Sequence, residues 1–237
     1  MRIDKFLCDC GIGTRKEVKL LLKGGSVSVN GKCVKDASVH IDEQSDTVSV
    51  SGKVLNYQKF IYLMLNKPAG VVSATFDKHL PTVIDLVDDA YKHYDVFPVG
   101  RLDIDTTGLL ILTNDGQLAH RMISPKHHVP KTYAAHIDGM VTQEDILAFK
   151  NGITLDDGYV CMPGELHIIN SDKESDIELT IYEGKFHQVK RMFEAVGKKV
   201  MTLKRLSMGQ ITLDADLPEG KMRPLDEKEI QLLQEIE

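Results

Sequence analysis

Apolar residues recur along this chain in short runs whose period changes from helix-like to strand-like and back. Helical spacing marks Ile3 to Cys10 and returns after Thr14, ahead of Val18, Leu20, Leu21 and Leu22. Thr14 with Glu17 three residues on is a capping-box pattern, and Gly24-Gly25 is a stop signal, so the first segment is expected to hold two short helices. Val27 to Val29 and Lys32 to Val34, joined by Asn30-Gly31, then read as a tight hairpin, and Asp46 to Val50 as a later alternating strand. The pattern weakens after Ser51, and the polar stretch around Asn56 to Lys59 has the composition of a linker.

Beyond the linker the periods alternate. An apolar run from Phe60 to Leu65 ends at Lys67-Pro68, a helical pattern covers Val83 to Tyr91, and Leu109 to Thr113 is an apolar run of buried-strand length. Strands are expected near Tyr133 to Ile137, Leu166 to Asn170 and Ile177 to Tyr182, with helices near Glu144 to Lys150 and His187 to Val196. This mixture predicts an α+β domain built on a mostly antiparallel mixed sheet flanked by helices. The organisation read from the sequence is a small module over 1–55, a linker at 56–60 and a larger domain over 61–237.

Composition changes this picture little and charge changes it more. With 42% hydrophobic and 27% charged residues, the 237-residue chain is ordinary for a globular protein. No stretch approaches the roughly 18 apolar residues of a membrane span, and acids stand where a secretory signal would be apolar, so a cytoplasmic location and no membrane partner are expected. Cys8, Cys10, Cys33 and Cys161 are too few and too irregular for a disulfide framework or a metal site and read as reduced thiols. The net charge of −6 is unevenly spread: residues 1–60 carry +3, leaving −9 for the remainder. Within 184–205, seven basic residues (Lys185, Lys190, Arg191, Lys198, Lys199, Lys204 and Arg205) face one acid, Glu194, and such stripes on an acidic body can draw a polyanion to one face.

The candidate chemistry centres on Gly100 to Gly116, G-R-L-D-I-D-T-T-G-L-L-I-L-T-N-D-G. Asp103 stands at the mouth of the Leu109 strand, with Arg101 as a nearby cation and Leu102 as an apolar wall. A cation lowers a carboxylate pKa and desolvation raises it, a combination suited to a nucleophile or base. Asp105, Thr106, Thr107 and Asp115 are expected only to bond local backbone amides. The segment resembles the signature of the pseudouridine synthases, in particular the family that modifies ribosomal RNA of the small subunit. The resemblance implies that Asp103 is the catalytic aspartate and that the reaction turns an RNA uridine into pseudouridine, with uridine 516 of 16S rRNA as the expected target.

Other blocks extend the resemblance nearly end to end. Tyr133, in K-T-Y, matches an active-site tyrosine, and its ring could stack on an extruded base. In E-G-K-F-H-Q-V-K-R-M-F the family keeps a basic residue that pairs with the aspartate, and by position it is Lys190, with Arg191 as the alternative. His187 could bond a phosphate or cap the helix. The two helices and hairpin of 1–55 resemble the alpha-L RNA-binding motif, with Arg15, Lys16, Lys19 and Lys23 available to phosphates. Arg101, Lys131, Lys185 and His187 complete the expected RNA contacts. The reaction needs no redox change, no cofactor motif occurs, and His127-His128 lacks companion ligands, so neither cofactor nor metal is expected. The expected partner is ribosomal RNA, bound by a monomer. Three alternatives stand beside this reading: a 23S rRNA enzyme, a non-catalytic ribosome-assembly factor, and a hydrolase using Asp103 and Asp105.

Overall fold

In the computed structural model, which describes residues 1–236, the two N-terminal helical patterns become α1 (Ile3–Asp9) and α2 (Arg15–Lys23). α2 starts where the capping box closes: the Glu17 amide donates to Thr14 Oγ1 at 3.4 Å and the Thr14 amide to Glu17 Oε2 at 2.8 Å. Val18 and Leu22, one turn apart, are buried with Ile3, Phe6 and Leu7 of α1 and with Val27, Ile41 and Val48. Four short strands follow, β1 (Val27–Val29), β2 (Lys32–Cys33), β3 (Val48–Val50) and β4 (Lys53–Val54), in the antiparallel order β2-β1-β3-β4. Asn30 and Gly31 both take positive φ, 52° and 76°, as a two-residue hairpin turn requires.

Met1–Ile61 and Asp88–Asp95 form one compact unit; Tyr62–Val87 and the chain from Val96 onward form the other. The expected helix over Val83 to Tyr91 does not form. The Asp85 carboxylate accepts the Thr82 amide at 2.7 Å and its hydroxyl at 3.1 Å, a start like the one that opens a helix at Thr142 and Asp145. The backbone then closes only three-residue turns, Asp85 amide to Thr82 carbonyl at 3.1 Å, Val87 to Ile84 at 3.0 Å and Tyr91 to Asp88 at 2.8 Å, before Lys92–Tyr94 makes a 3₁₀ turn. Residues 88–95, expected in the larger domain, group with the first unit.

The second unit runs β5 (Tyr62–Lys67), β6 (Phe97–Pro98), β7 (Thr107–Thr113), α3 (Gly116–Ile123), β8 (Lys131–Asp138), α4 (Gln143–Asn151), β9 (Glu165–Ser171) and β10 (Glu174–Ile181). It continues with α5 (Gln188–Ala195), β11 (Lys199–Met208), β12 (Ile211–Thr212), β13 (Met222–Pro224) and α6 (Glu227–Gln234). Seven strands lie in the order β13-β5-β7-β11-β8-β10-β9, with β6 on β7 and β12 on β11. Every pairing is antiparallel except β7 with β11, giving the mixed, mostly antiparallel α+β sheet. β5 and β7 are buried along their length, around Leu63, Met64, Leu65 and Leu109 to Leu112. Over the sheet, Phe149 of α4 and Phe193 of α5 meet with ring centroids 4.9 Å apart.

Gly108 lets the parallel pair approach. It pairs with Arg205 at φ +99°, and a Cβ there would fall 2.3 Å from the Arg205 carbonyl oxygen. Since β7 issues directly from the loop bearing Asp103, this contact fixes where that loop ends. No helix among the described residues is long and apolar enough to cross a membrane.

Candidate active site

The loop from Arg101 to Thr106 is held from inside by backbone contacts. Ser73 Oγ accepts the Leu102 amide at 3.1 Å and donates to the Leu102 carbonyl at 2.9 Å, while the Gly70 amide donates to the Ile104 carbonyl at 2.8 Å. The fully buried Lys67, at the end of β5, sends Nζ to the carbonyls of Pro68 at 2.9 Å, Ile104 at 3.3 Å and Thr106 at 2.9 Å. Burial pushes Lys67 down to about 8, against the opposing pull of Asp105 and Asp103. Sequence reasoning misses this residue, whose one signal is a lysine closing an otherwise apolar run.

Tied in this way, the loop presents Asp103 half-buried at the surface of the unit. Lys190 Nζ, from the first turn of α5, lies 3.4 Å from Asp103 Oδ2, and His187 Nε2 lies 3.6 Å from Asp103 Oδ1. Lys190 is closer still to Asp105, at 2.7 and 2.8 Å from its two carboxylate oxygens. Asp105 therefore does not confine itself to local backbone, as expected from the sequence, and the Lys190 ammonium holds its carboxyl below the usual range.

A stiff turn delivers these α5 side chains. Buried Glu183 accepts the Tyr159 hydroxyl at 2.6 Å, the Met162 amide at 2.9 Å and Gln188 Nε2 at 2.9 Å, and Gln188 Oε1 accepts the Lys185 amide at 2.8 Å. His187, at φ 50° and ψ 32°, precedes α5 in the left-handed region and makes no side-chain capping bond, so its cap reading is corrected. Its ring stacks on Phe186 at 3.8 Å and 18°, and Phe186 is 75% exposed. Sequence reasoning misses Phe186 as well, although an apolar residue in a charged turn is a signal for it.

Other expectations shift. Arg101 is exposed and makes no ion pair with Asp103 among the described residues; Lys190 and His187 stand in its place. Arg191 is turned away to Asp156 and Asp157, the latter at 2.6 Å, so of the two basic residues it is Lys190 that lies beside Asp103. Lys131 is half-buried, donates to the Val129 carbonyl at 2.7 Å, and is pushed down to about 8 by burial and then by Arg205. Tyr133 is buried on β8 opposite Arg205, and its hydroxyl makes no hydrogen bond to Asp103 among the described residues. Lys185 is exposed, with Nζ 4.5 Å above the Tyr159 ring centroid. The basic stripe of 184–205 is thus not a free stripe, since Lys198 pairs with Asp145 at 2.7 Å and Arg205 is buried with Nε on the Leu109 carbonyl at 2.8 Å. Among the described residues no group of three or more His, Cys, Asp or Glu side chains is placed to hold a metal ion.

A carboxylate beside an ammonium and an imidazole, in a loop pinned by its backbone, is equipped for attack or proton transfer. Residues 61–195 match the model of the RNA pseudouridylate synthases. The chain belongs to that family. Residues 1–48 match the S4 domain, in agreement with the helix and hairpin order of the first unit. Among similar proteins, this pseudouridine synthase is 49% identical to the uncharacterized RNA pseudouridine synthase YtzG of Bacillus subtilis, over 99% of both chains. It is 42% identical to the ribosomal small subunit pseudouridine synthase A of Vibrio cholerae, over 97% of this chain and 98% of that one. A crystal structure of a pseudouridylate synthase, 38% identical, covers 98% of this chain and 99% of its own with a TM-score of 0.69. In the S4 unit of the synthase, Arg15, Lys16, Lys19 and Lys23 are all exposed on α2, and none makes an ion pair among the described residues.

Proposed function

We propose that this pseudouridine synthase isomerises one uridine of small-subunit ribosomal RNA, the position numbered 516 in 16S rRNA, with Asp103 as the reacting carboxylate. The observation that carries this reading is the placement of Asp103 at 3.4 Å from Lys190 and 3.6 Å from His187, in a loop whose backbone is bonded from beneath. The small-subunit target is supported by the relatives in Vibrio cholerae and Escherichia coli, whose names state it.

The reaction breaks the C1′–N1 bond, forms C1′–C5, and moves a proton from C5 so that N1 ends protonated. An ionised Asp103 serves any of its routes, whether it attacks the sugar, attacks the base or removes the 2′ proton. Lys190 places a positive charge 3.4 Å from that carboxylate. A uridine within folded RNA must be swung out to reach Asp103, at a cost of a few kcal/mol that phosphate contacts and stacking offset. Arg15, Lys16, Lys19 and Lys23 supply phosphate contacts from the first unit. Lys185 and the exposed face of Phe186 supply a cation and a stacking surface beside the site. Tyr133, almost covered in the free protein, offers a ring and hydroxyl from the first half of β8.

Deleting the gene and mapping pseudouridines should remove one site in 16S rRNA, restored by wild type and not by Asp103→Asn. Tritium release from RNA carrying C5-labelled uridine measures the same step with purified protein. Loss of a 23S site instead would refute the substrate. Asp103→Asn activity within about tenfold of wild type, a change of about 1.4 kcal/mol, would refute the role of Asp103.

A further inference from the structure

Lys190 divides its charge unequally between two carboxylates. Its ammonium sits at 2.7 and 2.8 Å from Asp105 and only at 3.4 Å from Asp103, although Asp105 is the more exposed of the two, at 66% against 26%. An ammonium ordinarily gains more from the drier carboxylate, so the Asp105 contact holds it back from a full contact pair with Asp103. A carboxylate closed against an ammonium stays ionised but gives up basicity and nucleophilicity, whereas one with no cation nearby protonates once RNA covers the site. The observed distance lies between these extremes.

We propose that Asp105 is a positioning residue: by taking the contact bonds of Lys190, it keeps the ammonium near Asp103 without closing on it, so that the Asp103 oxygens keep a neighbouring cation and stay open to the substrate. This rests on the reading of Asp103 as the reacting group. A purely structural role for Asp105 is opposed by its setting. The loop is already fixed through the backbone by Lys67, Ser73 and Gly70, and an ion pair with so exposed a carboxylate is screened and adds little stability. The charged and titratable groups facing Asp103 are Asp105 from its own loop, His187 and Lys190 from the turn and first turn of α5, and Lys67 from the end of β5. Neutralising Asp105 therefore removes the only neighbouring anion of this set and frees the nearest cation. With Asp105 gone, the ammonium is free to close on Asp103 and occupy the oxygen that would react.

The test uses the full chain and Asp105→Asn. In crystal structures without RNA, Lys190 Nζ should move from its wild-type place to within about 2.8 Å of Asp103 in the variant. In single-turnover assays on an RNA that wild type converts, the plateau rate should fall roughly thirtyfold while the RNA concentration giving half that rate stays unchanged. RNA affinity should stay within about twofold and the thermal midpoint within about 2 °C. Asp105→Glu, which keeps the charge, should recover most of the lost plateau rate. An unmoved Lys190, an unchanged plateau rate, no recovery by Asp105→Glu, or a rate loss that follows a loss of thermal stability overturns the proposal. Should Asp105→Asn fail to fold, Asp105→Ser supports the same measurements. If wild type converts no 16S uridine, the substrate reading fails while the crystal comparison still decides where Asp105 holds Lys190.

Discussion

The two basic segments of this chain meet opposite fates. On α2, Arg15, Lys16, Lys19 and Lys23 occupy the solvent face of an amphipathic helix whose other face carries Val18 and Leu22, so all four stay exposed and without ion pairs among the described residues. Between Lys185 and Arg205 a longer run of cations is largely absorbed, Lys190 by two aspartates, Arg191 by Asp156 and Asp157, Lys198 by Asp145, and Arg205 by the core, while Lys185 and Lys199 stay exposed. A count of basic residues along a sequence therefore does not locate the surface that attracts a polyanion. The exposed cations suit phosphate binding, and the paired ones suit chemistry or architecture.

The largest effect that would sharpen this contrast lies within the second segment. Lys190→Gln should reduce single-turnover pseudouridine formation by about a hundredfold or more, because it removes the cation beside Asp103. Arg191→Gln, one residue on, should stay within about fivefold, since its guanidinium serves Asp156 and Asp157. Equal losses from both would erase the distinction between them. Next in size, replacing Arg15, Lys16, Lys19 and Lys23 together with alanine should weaken rRNA binding tenfold or more near physiological salt. The slope of log affinity against log salt should flatten by roughly one unit for each phosphate that is no longer neutralised, with the rate on saturating RNA preserved. Unchanged affinity and slope in a filter-binding titration would remove α2 as the anchor.

These contrasts also mark where the sequence is legible. The capping box at Thr14 and Glu17, the Asn30-Gly31 hairpin and the apolar strands β5 and β7 rest on bonds between near neighbours or on plain runs, and the pattern of residues is enough to find them. α3 escapes such a reading because Asp115, which looks like part of a turn signal, also caps a helix by accepting the Gln117 and Leu118 amides, both at 3.1 Å. β11 is hidden by its own cations, since Lys204 and Arg205 read as part of a charged stripe while Leu203, Arg205 and Met208 go inward. In the site, Asp103 stands out through its local motif. The partnership of Asp105 with Lys190 joins residues 85 apart, and no local rule announces it.

A smaller effect separates exposed from buried cations by pH. The pKa of Lys67 is depressed to about 8 in the folded state from 10.5, so between those values the unfolded chain binds more protons and the Lys67 contribution to stability rises with pH. The penalty of burying its charge is fully present below pH 8 and relieved towards pH 10.5. Subtracting the denaturation profile of Lys67→Met from that of wild type should expose this rise. A flat difference for Lys67 would place its ammonium in a wetter setting than the bonds to Pro68, Ile104 and Thr106 describe.

The central place of β11 bears on the order of events as the protein is made. β7 and β8 follow each other along the chain, separated only by α3 and a short turn, yet β11 lies between them in the sheet and reaches β7 through the contact of Arg205 with Gly108. That contact spans nearly a hundred residues, a long loop to close and a slow kind of pairing. Until translation has passed Met208, the strand that braces the Asp103 loop on one side does not exist, and a half-made chain has no completed site. Timing is thereby written into topology: this enzyme cannot begin modifying RNA while it is itself still being translated through its catalytic domain.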